Sequence, residues 1–152
     1  MPKIAVRVGV LAAAMMMAAP AIAQPAIACP PSPAASSDLQ TRAWDSADLV
    51  IVAQVAERRT ISLPGLPDAP QVSLAPMTWL KGQGSPWQFD LGATEMTTCG
   101  PLPGFDAIAG KVGDEFVIFA KGDDPAQTTI FETVNLKALR EPRALAALKA
   151  QQ

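Results

Sequence analysis

The chain has no histidine and no tyrosine, and only two cysteines in 152 residues. Without histidine there is no Ser-His or Cys-His nucleophile arrangement, no imidazole general base and no histidine-based metal site. Serine and threonine are frequent, yet none stands in a G-x-S-x-G or S-x-x-K setting. The chain therefore reads as a non-enzyme, with no catalytic residues and no cofactor expected. A basic excess is also missing: 12 Lys and Arg stand against 14 Asp and Glu, a formal net charge of −2. Such a surface does not neutralise a phosphate backbone, so nucleic acid is not an expected partner. The only close acidic pairs beyond the N-terminal region are Asp114-Glu115, opening an apolar run, and Asp123-Asp124, in a turn before Pro125. Both are ordinary places for solvated acids, and no metal site is expected at either.

What is present begins with an export signal. Lys3 and Arg7 give a short positive region, Val8 to Ala19 is uncharged and apolar, Pro20 ends it, and Ala21-Ile22-Ala23 forms a small-x-small cleavage site. An apolar run of about 12 residues is too short to cross a hydrocarbon core, so cleavage is expected instead of a stable membrane span. The small-x-small pattern recurs at Ala26-Ile27-Ala28. A cut there would leave Cys29 at the mature N-terminus, and lipidation of Cys29 is a third outcome, although Ala26 stands where a lipoprotein signal usually carries Leu. The expected location is periplasmic or secreted. Removing Lys3 and Arg7 makes the mature chain more acidic.

Two cysteines in an exported chain read first as a disulfide, with two reduced buried thiols as the alternative. By the chain-entropy model, a bridge closing about 70 residues stabilises by about 4 kcal/mol if it forms without strain.

Fifteen prolines and ten glycines punctuate short apolar runs, which points to an all-β or β-rich domain. Residues 24–37 show no hydrophobic period and read as extended, with order beginning near Trp44. Leu49 to Val55 is a continuous apolar, β-branched run, as expected of a strand covered on both faces or coiled around a barrel. Arg58 and Arg59 are expected to end it in solvent, and 62–70 reads as a turn. Gln71 to Leu80 is a second strand, in which Pro76 implies an edge position or a bulge. Trp87, Phe89 and Leu91 alternate with polar residues in a third strand and should face one core. Residues 92–113 read as irregular, Glu115 to Ala120 as a central fourth strand and Thr128 to Val134 as a fifth. Pro142 to Lys149 reads as a helix with proline in its first turn, Ala144, Leu145 and Leu148 docking on the barrel. Trp44, Trp79 and Trp87 could form an aromatic ligand platform, but in an acidic chain without basic interleaving core packing is the favoured role of Trp79 and Trp87.

The series Ser46-Ala47-Asp48-Leu49-Val50-Ile51-Val52-Ala53-Gln54-Val55, then Met77-Thr78-Trp79-Leu80-Lys81-Gly82, then Thr98-Cys99-Gly100, then Gly113-Asp114-Glu115-Phe116-Val117-Ile118-Phe119-Ala120 resembles the N-terminal domain of tissue inhibitors of metalloproteinases. That domain is netrin-like, a five-stranded OB barrel. The resemblance spans about 90 residues, Trp44 to Val134, and implies a five-stranded OB-fold-like barrel with a Cys29–Cys99 bridge. Together with the residue pattern on either side, it divides the chain into a signal over 1–23, an extended segment over 24–43, the barrel over 44–136 and a short C-terminal helix over 137–152. In that family the chain opens Cys-x-Cys, and the first cysteine's amine and carbonyl chelate the protease zinc. Here Pro30, Pro31 and Ser32 follow Cys29, so the second cysteine is absent. The function expected is a non-catalytic binding or interaction module that meets a protein or small ligand outside the cytoplasm. The alternatives are an inhibitor of a zinc metalloprotease using Cys29 as its wedge and a lipoprotein anchored at Cys29. Cys29, Pro30 and Trp79 are the candidate interaction residues.

Overall fold

The computed structural model describes residues 37–151 except 63, 66–67, 85–87, 98 and 123–127. The signal, Cys29, Pro30, Trp87 and the Asp123-Asp124 pair lie outside the described residues.

The first element corrects the expectation of an extended chain as far as residue 43. Ser37–Ser46 is a helix, α1, which opens with Ser37 and Asp38 in its first turn and buries Gln40 and Ala43 three residues apart. Ala47 continues that buried row, its amide still donating to Ala43 O at 2.9 Å. Small side chains let the helix lie close to the sheet, and Leu39 on another side is exposed.

Strands β1 (Leu49–Ile61) and β2 (Ala69–Lys81) form a long antiparallel hairpin that pairs from Val50 with Lys81 out to Ile61 with Ala69. β1 thus runs past Val55, where it was expected to end. Its outer half, including Arg58 and Arg59, is exposed on side chains but paired through the backbone, which a reading of apolar pattern does not detect. The register slips by one residue between Val52 opposite Thr78 and Ala53 opposite Pro76, so Pro76 sits beside a bulge as expected. After β2 the chain turns at Gly82 with φ +76; a Cβ there would meet Leu49 Cδ2 at 2.5 Å and Asp48 O at 2.8 Å, so only glycine fits the turn.

Strand β3 (Phe89–Leu91) is short, with Phe89 and Leu91 buried and Asp90 exposed, the alternation expected. The section expected to be irregular holds a small hairpin, β4 (Met96–Thr97) with β5 (Gly100–Pro101), between 3-10 turns at Ala93–Glu95 and Asp106–Ala109. Strands β6 (Glu115–Lys121) and β7 (Thr129–Asn135) follow, then a 3-10 turn, Leu136–Ala138, and helix α2 (Pro142–Lys149) with Pro142 in its first turn. The main sheet is wholly antiparallel, in the order β3-β2-β1-β6-β7.

The apolar run of β1 is covered on both faces. Leu49, Ile51, Ala53 and Val55 point into one cluster with Val72, Leu74, Phe89, Leu91, Phe116, Ile118 and the 3-10 residues Ala107 and Ile108. Val50 and Val52 point into the other with Val117, Phe119, Val134, Leu80, Ala43 of α1 and Ala144 of α2. Period-two alternation assigns each strand residue to one face, and apolar residues on both faces require a covering layer on each side. The 92–113 section covers the first face; α1 and α2 cover the second. In α2, Ala144 is buried and Leu148 packs on the cluster, whereas Leu145 is exposed and does not dock.

The covering helices are clipped together by a buried polar group. Gln40, fully buried, donates to Ala138 O at 3.1 Å and accepts from the amides of Arg140 and Glu141 at 2.6 and 3.1 Å. Glu141 caps α2 and accepts from Thr41 Oγ1 at 2.7 Å and from Arg143 Nε at 2.5 Å. Burial acts to raise its carboxyl pKa, but the hydrogen bonds from Arg143 and Thr41 outweigh it and hold the group below the usual range.

Candidate functional site

Between the outer strands β3 and β7 lies a cleft of about 330 Å³. Gln88 to Leu91 form one wall, the start of β7 at Thr129 and Ile130 forms the other, and Glu95 closes an end. Phe89, Leu91 and Ile130 also belong to or pack against the first core cluster, so an apolar wall backs a polar mouth. Its acids are held in place. Asp90 accepts from Ser73 Oγ at 2.5 Å and Arg59 Nη2 at 3.0 Å; Glu95 accepts from the Gly92 amide at 3.1 Å and Thr94 Oγ1 at 2.5 Å. Fixed acceptors of this kind orient hydrogen-bond donors on a ligand at little entropic cost.

The structure separates the aromatic residues that a ligand platform would need together. Trp44 lies on the helix-covered face, where the Lys81 ammonium and the Arg143 guanidinium stand 5.8 and 5.5 Å from its ring. Lys81 also donates to the Trp44 and Ala47 carbonyls at 2.9 and 2.6 Å, fastening the end of α1. Trp79 packs against the opposite cluster, opposite Ile51. Its Nε1 is buried with no hydrogen-bond partner among the described residues, and its carbonyl accepts from Gln151 at 2.7 Å. Trp44 and Trp79 therefore do not share a surface.

Cys99 is exposed in the turn between β4 and β5, with its amide donating to Thr97 Oγ1 at 3.2 Å. No described hydrogen bond joins it to Trp79. Asp114 and Glu115, the described acidic pair, sit beside a second cavity of about 260 Å³ with Asn135 and Lys137; Asp114 accepts from the Lys111 amide at 2.8 Å, a turn-closing bond. Among the described residues no three His, Cys, Asp or Glu side chains gather as a metal would require. No described helix is long and apolar enough to cross a membrane.

Sequence reasoning missed the cleft and a pair of carboxyls. The cleft is built from residues about forty positions apart with no local motif. The pair is Glu132, on β7, with Asp106, at the start of a 3-10 turn. Burial first, and then the Asp106 charge, push Glu132 up to about 7; burial also raises Asp106. Glu132 sits in an ordinary strand alternation, and only its contact with a distant loop makes it unusual.

No protein-family model matches the chain, and neither a curated protein nor a solved structure matches it.

Proposed function

We propose that this chain is an exported, non-catalytic binding module built on a netrin-like OB barrel, with a structural Cys29–Cys99 disulfide. The order β3-β2-β1-β6-β7 carries the reading. A three-stranded meander followed by a return to the far side of the first strand is the arrangement of a five-stranded OB barrel, whose seam falls between the third and fifth strands. Here those are β3 and β7, and the 330 Å³ cleft lies at that seam. Supporting the bridge, no described cysteine is a free thiol. The module works in the periplasm or outside the cell, and its ligand is a protein or small molecule that presents hydrogen-bond donors to Asp90 and Glu95.

Mass analysis of the exported protein tests this reading. The expected mature chain starts at Gln24, with both cysteines unreactive to a thiol reagent under denaturing, non-reducing conditions. Versions starting at Gln24 and at Cys29 are then assayed against a panel of zinc endopeptidases, and no inhibition by the Gln24 form is expected, because five residues ahead of Cys29 convert its amine to an amide. A natural start at Cys29 with inhibition by that form alone replaces the reading with a zinc-wedge inhibitor. An acylated Cys29 replaces it with a surface lipoprotein, and two free thiols remove the disulfide.

A further inference from the structure

The segment Gly104 to Ala107 is strapped across the outer edge of β7 at one residue, Thr133. The Thr133 amide donates to Gly104 O, the Ala107 amide donates to Thr133 Oγ1 at 3.1 Å, and Phe105 bridges to Thr133 in parallel. Thr133 is fully buried, and beyond it Phe105, Ala107 and Ile108 cover the first core cluster. The residue just before Thr133 is Glu132, and it presses on the same strap. Gly104 takes φ +90, and a Cβ at that position would lie 2.6 Å from Glu132 Oε2, so the carboxyl tip rests against the strap's backbone. Asp106 stands two residues further along the strap.

We propose that the strap is a pH-sensitive latch, fastened to β7 while Glu132 holds a proton and loosened once Glu132 and Asp106 are both charged. Among the described residues no cation offsets that charge on Glu132. Opposite it on β6 is Phe119; the charged residues of that strand stand at its ends, Lys121 opposite Thr129 and Glu115 beyond the Phe116–Asn135 pair. β7 itself carries no other charged side chain. Glu95, whose carbonyl accepts from Leu102 just before the strap, has its carboxylate tied to Gly92 and Thr94. On the strap and its 3-10 turn the one charged residue is Asp106, the charge that acts on Glu132.

Glu132 is raised from 4.5 to about 7 in the fastened state. A loosened strap exposes the carboxyl and returns it toward its ordinary value, so the fastened state binds the proton more tightly. Its advantage is fully present below about 4.5 and is lost as pH rises through about 7. Because the strap covers one core face, loosening it uncovers apolar surface next to the turn that holds Cys99.

Amide hydrogen exchange on the full exported protein reads the latch directly, with rates corrected for the intrinsic base catalysis of exchange. Between about pH 5.5 and about pH 8, protection of the Thr133 and Ala107 amides is expected to fall about tenfold, while the β1–β6 ladder keeps its protection. Glu132→Gln should hold the strap fastened at both pH values. Asp106→Asn should make the loss smaller and complete it at lower pH, since the Asp106 charge helps to raise Glu132 and without it the fastened-state pKa falls back toward the ordinary value. A pH-dependent loss that persists in Glu132→Gln overturns the proposal, as does an equal loss of protection along the β1–β6 ladder.

Discussion

Phe119→Ala is expected to lower the unfolding free energy by about 3–5 kcal/mol, the largest effect of any single truncation in this domain. Phe119 is fully buried on an interior strand, β6, between β1 and β7, and its side chain packs in the cluster that α1 and α2 cover. Three elements meet there, so no one of them can move inward to fill the void without leaving the other two. The lost transfer energy and the cavity therefore add. Against a typical domain stability of about 5–15 kcal/mol, that is a large fraction. Urea unfolding monitored by tryptophan fluorescence measures it: the midpoint should fall while the slope is kept. Val112→Ala is the control, being 64 % exposed, and should change stability by less than about 0.5 kcal/mol. A Phe119→Ala protein within about 1 kcal/mol of the parent would mean that the helices do not cover this face in solution.

Gln40→Leu should cost about 2–4 kcal/mol despite making the helix more apolar. The substitution removes one donor and one doubly used acceptor, leaving the amides of Arg140 and Glu141 without their partner. Glu141 is itself buried, so its amide has little access to water to replace the bond. The Ala138 carbonyl belongs to an exposed residue and is resolvated cheaply. The comparison with Gln40→Glu separates shape from hydrogen bonding: a carboxylate keeps the acceptor for both amides but loses the donor and brings a second negative charge near Glu141. Both variants should speed amide exchange at residues 140 and 141 before any change in the β1–β6 ladder. Unchanged exchange at those two amides in Gln40→Leu would show that the clip does not hold the helices.

Much of the sheet is legible in the sequence because its central strands carry apolar residues on both faces. The run at 49–55 and the run at 115–120 announce themselves by hydrophobicity alone, and Phe89-Asp90-Leu91 by alternation. Strand ends are not legible in this way. The stretch Ala56 to Thr60 is exposed and held by main-chain pairing, to which the side chains contribute no pattern. Helix α1 is hidden for a different reason. It follows a Pro/Ala/Ser stretch without period, and the residue that fastens it most firmly is a buried glutamine whose partners lie about a hundred positions away. The candidate residues divide in the same manner: Cys99 and Trp79 stand out as residue types, whereas the cleft between β3 and β7 and the charge of Asp106 acting on Glu132 exist only after folding joins distant segments.

The clip between α1 and α2 also sets how the domain bears tension. Force entering at residue 37 and leaving at residue 151 passes through both helices, which pack on one face of the sheet and are tied by Gln40, Thr41, Glu141 and Arg143. The load reaches those few side-chain bonds before it reaches the β1–β6 ladder. Under a pull from its two ends the domain should therefore shed its helices in an early, low-force step and keep the antiparallel sheet as the part that resists.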